Sequence, residues 1–259
     1  MNAYNKPLIT STLAILLSAC GGSSDPTDSL PFFPPESVSI SDVAGVFSGT
    51  YSTGGQLVVI DGILSPNGEL RVITQFDEQL GGQLTFNGEN FTVDPLSSFI
   101  SPGNLSDNYY AAIFNENGTA SGTISNSEIS GTTEFSNQTS NFSLTKEVEL
   151  TNQGADFADV TGNYVTPDYL TNISFDVDGK VSGLDDEGCL YSGQLSIPEA
   201  SINVYEIGLT VENCGEGNGT YDGLGTLVPS NYIDDGDSNV FIFQADNSQI
   251  AITAMLIDN

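Results

Sequence analysis

The sequence predicts an all-β protein: two tandem antiparallel β-barrel-like domains of about eight strands each, set behind a signal peptide and a flexible tether. Three observations carry this reading. About sixteen short runs rich in Val, Ile, Phe, Tyr and Thr, among them QLVVIDGIL, GELRVITQF, NVYEIGLTV and QIAITAMLI, recur along the chain, several alternating apolar with polar residues. Between the runs stand PNG, NG, NENG, DG and GEGNG, which supply the positive φ that hairpin turns require. The chain also repeats itself: GVFSGTYST, IDGILSPNGEL and GGQLTF in the first half run parallel to DVTGNYVTP, ISFDVDGKV and YSGQLSI in the second. Closure into barrels removes exposed strand edges, and a pair of sandwiches is the competing arrangement.

Taken in order, residues 1–19 read as a signal peptide. One positive side chain, Lys6, precedes an apolar run from Leu8 to Leu17. Such a run, about 10 residues, is too short to span a bilayer, which needs about 20, and suits a secretory segment. It ends in Leu17-Ser18-Ala19-Cys20, which resembles the bacterial lipobox. That resemblance implies cleavage before Cys20, a diacylglycerol thioether on its sulfur and an acyl chain such as palmitate on the new amino terminus. Two or three acyl chains anchor stably where one alone is marginal. Gly21 stands where an aspartate would signal inner-membrane retention, so the expected address is the outer membrane, facing either the periplasm or the exterior.

Residues 20–37 form the lipidated cysteine and its tether: GGSSDPTDSLPFFPPES is rich in Gly, Ser, Asp and Pro and has no periodicity with which to bury a core. Residues 38–149 are the expected N-terminal β domain, 150–158 a divider, and 159–259 the C-terminal β domain. Domains of about 100 residues can each bury a workable core.

The chain has 3 cysteines. With Cys20 lipidated, Cys189 and Cys214 remain, each close to a strand end, and in an exported protein the expected outcome is a disulfide. Closing a loop of about 25 residues stabilises by ~3.5 kcal/mol in the chain-entropy model. A redox or metal thiol pair is the alternative, but the spacing is not CxxC and no histidine is present to assist.

The run GNY…VSG…GCLYSG…NVYEIGLTVENC…GTYDGLGTLV…NVFIFQ, preceded by GVFSGTYS, resembles a group of uncharacterised proteobacterial envelope lipoproteins with a GC-x-x-SG … N-x-Y … C pattern in a C-terminal β domain. The resemblance is densest over residues 160–245, and Gly225 departs from the small alanine-like residue common in the group. It implies the architecture and the lipid anchor, and no activity. A looser likeness, of fold only, is to the β-barrel lobes of surface lipoproteins that bind transferrin or complement factor H.

Charge excludes several functions. Asp and Glu number 34 against 4 Lys and Arg, with no histidine, for a net charge of -30. Once residues 1–19 are removed, Arg71, Lys146 and Lys180 are the remaining basic side chains. Phosphate contacts need clusters of Lys and Arg, so nucleic acid is not a partner, and anionic lipid headgroups are no attraction. The membrane is expected to be reached through the lipid anchor, and the other partner class is a cation or a basic protein. Without histidine there is no imidazole to activate Ser or Cys, and no P-loop, GxGxxG or GxSxG pattern occurs, so no enzyme is expected. No cofactor is expected either, with Ca2+ the one candidate: YIDDGDSN offers Asp234, Asp235, Asp237 and Asn239, and LDDEG offers Asp185, Asp186 and Glu187. Neither loop has EF-hand spacing, and solvated loop acids are the simpler reading. The expectation is a non-catalytic, outer-membrane-anchored binding or interaction module. The alternatives are a calcium-stabilised structural envelope protein and a carrier of a small apolar ligand inside a barrel.

Overall fold

The structure, a computed structural model, describes residues 39–101, 110–136, 138–232 and 238–259. Ser39 opens a one-turn helix, α1 (Ile40–Val43), and its side chain and Asp42 form a capping box. Eight strands follow: β1 (Gly45–Thr53), β2 (Gln56–Leu64), β3 (Glu69–Thr74), β4 (Gln79–Asn87), β5 (Asn90–Ile100), β6 (Tyr110–Ile124), β7 (Glu128–Phe135) and β8 (Gln138–Lys146). Each pairs antiparallel with the next, and β8 returns to β1 through pairs from Phe47↔Lys146 to Ser52↔Asn141. This is a closed eight-stranded up-and-down barrel, as expected for the first half. The β1–β2 hairpin turns on Gly54 and Gly55, both at positive φ, where a side chain would be strained. Alternation in β3 is complete, with Leu70, Val72 and Thr74 buried. Inside the barrel Phe47, Leu64, Leu84, Phe91, Ile129 and Leu144 are each almost fully buried, so side chains fill the interior.

Residues 147–161, which include the expected divider, carry two more one-turn helices, α2 (Val148–Thr151) and α3 (Phe157–Val160). Eight further strands follow: β9 (Gly162–Val165), β10 (Thr171–Phe175), β11 (Lys180–Asp185), β12 (Leu190–Ser196), β13 (Tyr205–Glu212), β14 (Gly219–Val228), β15 (Val240–Asp246) and β16 (Ile250–Asp258). These too pair antiparallel in sequence order, and β16 meets β9 over the short seam Ile257↔Val165 and Asp258↔Tyr164. Their core is aromatic: Phe241 packs edge-on against Phe175 and Tyr205 at centroid distances of 5.0 and 5.6 Å, and Tyr164 against Phe175 at 5.3 Å. No helix among the described residues is long and apolar enough to cross a membrane.

The sequence repeat has a structural counterpart. The matched segments fall on the first, second and fourth strand of each set: β1, β2 and β4 in one, β9, β10 and β12 in the other. The shared Gly-Gln-Leu has one job in both. Gln83 Nε2 donates to Asn67 O (2.6 Å) and Gln194 Nε2 to Asp178 O (2.7 Å), pinning the preceding Asn-Gly and Asp-Gly turns. The next leucine amide in each case donates to the turn glycine, Leu84 to Gly68 O and Leu195 to Gly179 O, both at 2.7 Å.

The two sets are attached edge to edge. The first part of β6 pairs with β16, from Ile250↔Ile113 to Thr253↔Tyr110, so a single continuous sheet order runs through all the strands. Ala44, Ile63, Ile202, Val204 and Leu224 form a buried apolar cluster drawn from both sets, and Phe99, Ala112 and Ala251 a smaller one at the seam. Polar groups complete the junction. Arg71 on β3 forms ion pairs with Glu69 (2.7 Å) and with Asp246 on β15, and donates to Asp222 O at 3.0 Å. Ser65 and Asn67 both donate to Glu206 Oε1, at 3.0 and 2.6 Å. Asn203, fully buried, donates to Leu150 O and Leu227 O and accepts from Leu227 N, so it is a satisfied structural group.

Candidate functional site

Most of the residues singled out in the sequence are not among the described ones. Leu17, Ser18, Ala19 and Cys20 lie outside the described residues, as do the tether and Asp234, Asp235 and Asp237. Asn239 is described, and its side-chain oxygen accepts from Ser230 N at 3.2 Å while its carbonyl accepts from Asp258 N, so both oxygens close the loop. Cys189 and Cys214 are disulfide-bonded, with Cα atoms 4.8 Å apart, tying the start of β12 to the end of β13. Asp185 lies close to both sulfurs, but these are spent in the disulfide and offer no thiolate to a metal. Its carboxylate accepts instead from Glu187 N, Cys189 N and the Tyr191 hydroxyl at 3.0, 2.8 and 2.9 Å, an Asx turn that shapes the β11–β12 connection.

The feature that gathers chemistry is a cleft of about 510 Å³ between the two sets of strands. Its position follows from strand alternation. In β15, Phe241 and Phe243 face the core of the second set, which turns Ile242 and Gln244 the opposite way, toward the barrel. In β16, Ile252 and Leu256 face that same core, which turns Thr253 and Met255 outward. The outer face of β1–β3 supplies the other wall with Val46, Ser48, Asp61, Ile63 and Ile73, and Glu147 and Tyr232 stand at the sides.

Two kinds of polar group line this cleft. Gln244 is 3% exposed and its Oε1 is buried without a hydrogen-bond partner. Thr253, directly opposite it in the β15–β16 register, carries a buried Oγ1 that also lacks a partner. A buried polar group of this kind costs on the order of 1–3 kcal/mol unless a partner is supplied. The second kind is the carboxylates of Asp61, Asp77 and Glu147. Asp61 faces Ser48 across β1–β2, and the Ser48 hydroxyl donates to Glu147 Oε1. Partial desolvation, and then the nearby negative charge of Glu147, hold the Asp61 carboxyl above the usual carboxylate range. Among the described residues, no lysine or arginine lines the cleft. Pro167, Thr253 and Met255 also wall a smaller cavity of about 120 Å³ inside the second set, lined by Ile173, Tyr191, Leu209 and Phe243. There Thr171 Oγ1 is another buried hydroxyl without a partner.

Sequence reasoning missed this site. The available signal was a glutamine closing the apolar run NVFIFQ and a threonine inside IAITAML, both on the face opposite the aromatic residues. Nothing local shows that those faces meet the barrel.

Chemically, the cleft presents acceptors and negative charge between apolar walls. The chain has no histidine, and the acids of the cleft accept hydrogen bonds. The arrangement is one for holding a donor-bearing ligand. No family model matches this chain, and no curated protein matches it. Among solved structures, a crystal structure of the vaccine antigen Transferrin Binding Protein B (TbpB) mutant Trp-176-Ala from Haemophilus parasuis Hp5 is similar over 83% of this chain and 76% of that one. The identity is 9% and the TM-score 0.23, a weak and distant likeness on which nothing below depends.

Proposed function

We propose that this chain is a non-catalytic binding module of the bacterial envelope, tethered to the outer membrane through a lipidated Cys20, with the cleft between its two sets of strands as the ligand site. We read the second set as a barrel-like lobe, because its strands pair in order and the β16–β9 seam brings the last back to the first. The observation that carries the function is the juxtaposition in the cleft of Gln244 Oε1 and Thr253 Oγ1, both buried and unpaired, in a chamber sized for a small molecule. The filled interior of the first barrel speaks against that barrel as a carrier of an apolar ligand. The lipobox-like LSAC and the Gly/Ser/Pro tether support the envelope address.

Native mass spectrometry of the mature protein isolated from its own envelope tests this reading. Met255 is 44% exposed and lines the cleft, so Met255→Trp fills it without disturbing a core. The expected result is a bound small molecule on the wild type that is absent from Met255→Trp. A wild type with no added mass beyond its lipid, or a ligand retained by Met255→Trp, would overturn the assignment of the cleft.

A further inference from the structure

Resting on that reading, we infer that the cleft takes a short linear diamine or polyamine, an alkyl chain with a primary ammonium group at each end. The polar groups come from both walls of the cleft. Gln244 and Thr253 stand opposite one another on β15 and β16, and Asp61, Asp77 and Glu147 come from the barrel side. Ile63, Ile242 and Met255 are among the apolar side chains that share the lining.

Each ligand class makes different demands on this pattern. An anion meets the carboxylates of Asp61, Asp77 and Glu147 and, among the described lining residues, no cation. A purely apolar ligand covers Gln244 Oε1 and Thr253 Oγ1 without pairing them, so their cost stays in the complex. A calcium ion needs about six to eight oxygens converging on one point, whereas these acceptors come from β15 and β16 on one side and from the barrel on the other. An ammonium group carries three donors and no acceptor, so one end pairs with Gln244 Oε1 and Thr253 Oγ1. Its methylenes lie against the aliphatic walls, and its second charge sits beside Asp61 and Glu147. That second charge also relieves the repulsion between those two carboxylates.

Since the whole chain carries a charge of -30, loose attraction of any polyamine is expected, and the test must separate it from a site. Isothermal titration calorimetry with 1,5-diaminopentane in about 150 mM NaCl, where the Debye length is about 8 Å, makes the separation. The expected result is saturable one-site binding. It weakens about tenfold or more in Gln244→Leu and in Asp61→Asn/Glu147→Gln, as loss of a hydrogen bond to a charged group implies. Glu212→Gln/Glu216→Gln removes the same charge from the exposed end of β13 and the turn after it, and leaves affinity within about twofold. The uncharged 1,5-pentanediol does not bind. Circular dichroism confirms that Gln244→Leu folds, as removal of an unpaired buried acceptor leads one to expect.

Equal losses in the distant and the cleft double variants, or an affinity indifferent to Gln244→Leu, would reduce the binding to bulk electrostatics and overturn the inference. Stoichiometric displacement of the diamine by calcium would overturn it as well. The two readings fail separately. An envelope-derived ligand that Met255→Trp excludes but that contains no amine ends the diamine inference and leaves the cleft as the site. A cleft that takes no molecule at all ends both.

Discussion

Four tyrosines show what burial does to a single side chain here. Tyr164 and Tyr205 have their phenol pKa pushed up to about 12, chiefly by desolvation, and in Tyr164 next by the charge of Asp258. Burial also raises Tyr191 and Tyr221. Three of the hydroxyls have a partner that a phenolate would lose: Tyr191 donates to Asp185 Oδ2 at 2.9 Å, Tyr205 to Asp156 O at 3.1 Å and Tyr221 to Gly217 O at 2.7 Å. The unfolded chain binds these protons less tightly, with pKa near 10, so the stability they contribute is fully present below about pH 10. It is lost as the pH rises through about 12. Absorbance at 295 nm followed with near-UV circular dichroism is expected to show these groups ionising only as the tertiary signal collapses. Ionisation of all 10 tyrosines near pH 10 with the tertiary signal intact would show that the second core is open to water.

At the scale of strands, the repeated Ser-Gly of FSGT and YSGQ is a packing requirement. A Cβ on Gly49 would collide with Ser143 O of the neighbouring strand, and one on Gly193 with Gly208 O, so these glycines let adjacent backbones approach and have no part in the site. The disulfide is likewise structural. It closes a separation of 25 residues around the β12–β13 hairpin, whose first register pair is Leu190↔Glu212. The double variant Cys189→Ala/Cys214→Ala is expected to lower stability by about 3 kcal/mol while leaving strand content unchanged, because the bond acts mainly on the unfolded chain. Denaturant titration reads the loss. An unchanged midpoint would mean that the hairpin is already held by its ladder.

The whole molecule is held together by contacts between residues far apart in the chain. Arg71, the single arginine of the sequence, sits between the two sets of strands with its side chain 12% exposed, against Glu69 and Asp246. Removing it strands those acids in a junction of a chain already strongly negative. Arg71→Met is therefore expected to cost about 3–5 kcal/mol, the range for breaking a buried pair by removing one partner. Arg71→Met/Asp246→Asn should recover part of the loss. Calorimetry is expected to show the variant's single transition broadening or splitting as the two sets of strands uncouple. A sharp transition at the wild-type temperature would assign the junction to the β6–β16 seam and the apolar cluster alone.

Much of this protein was legible before folding was considered. Alternating runs and Gly-containing turns specify strands because their side-chain period and backbone angles are local properties, and the Gly-Gln-Leu repeat placed matching strands in both halves. The cysteine pair was legible by count and position. Closure of the first barrel was expected from its eight strands, whereas the β6–β16 seam and the Arg71 junction were not legible, since each depends on partners separated by a large part of the chain. The cleft belongs with these. Its walls come from β1–β3 on one side and β14–β16 on the other, and Gln244 reads in sequence as one polar residue ending an apolar strand. Local chemistry sets which way a side chain points from its own strand. Only the tertiary arrangement decides what stands opposite it, and here it left Gln244 and Thr253 facing a chamber with no partner of their own.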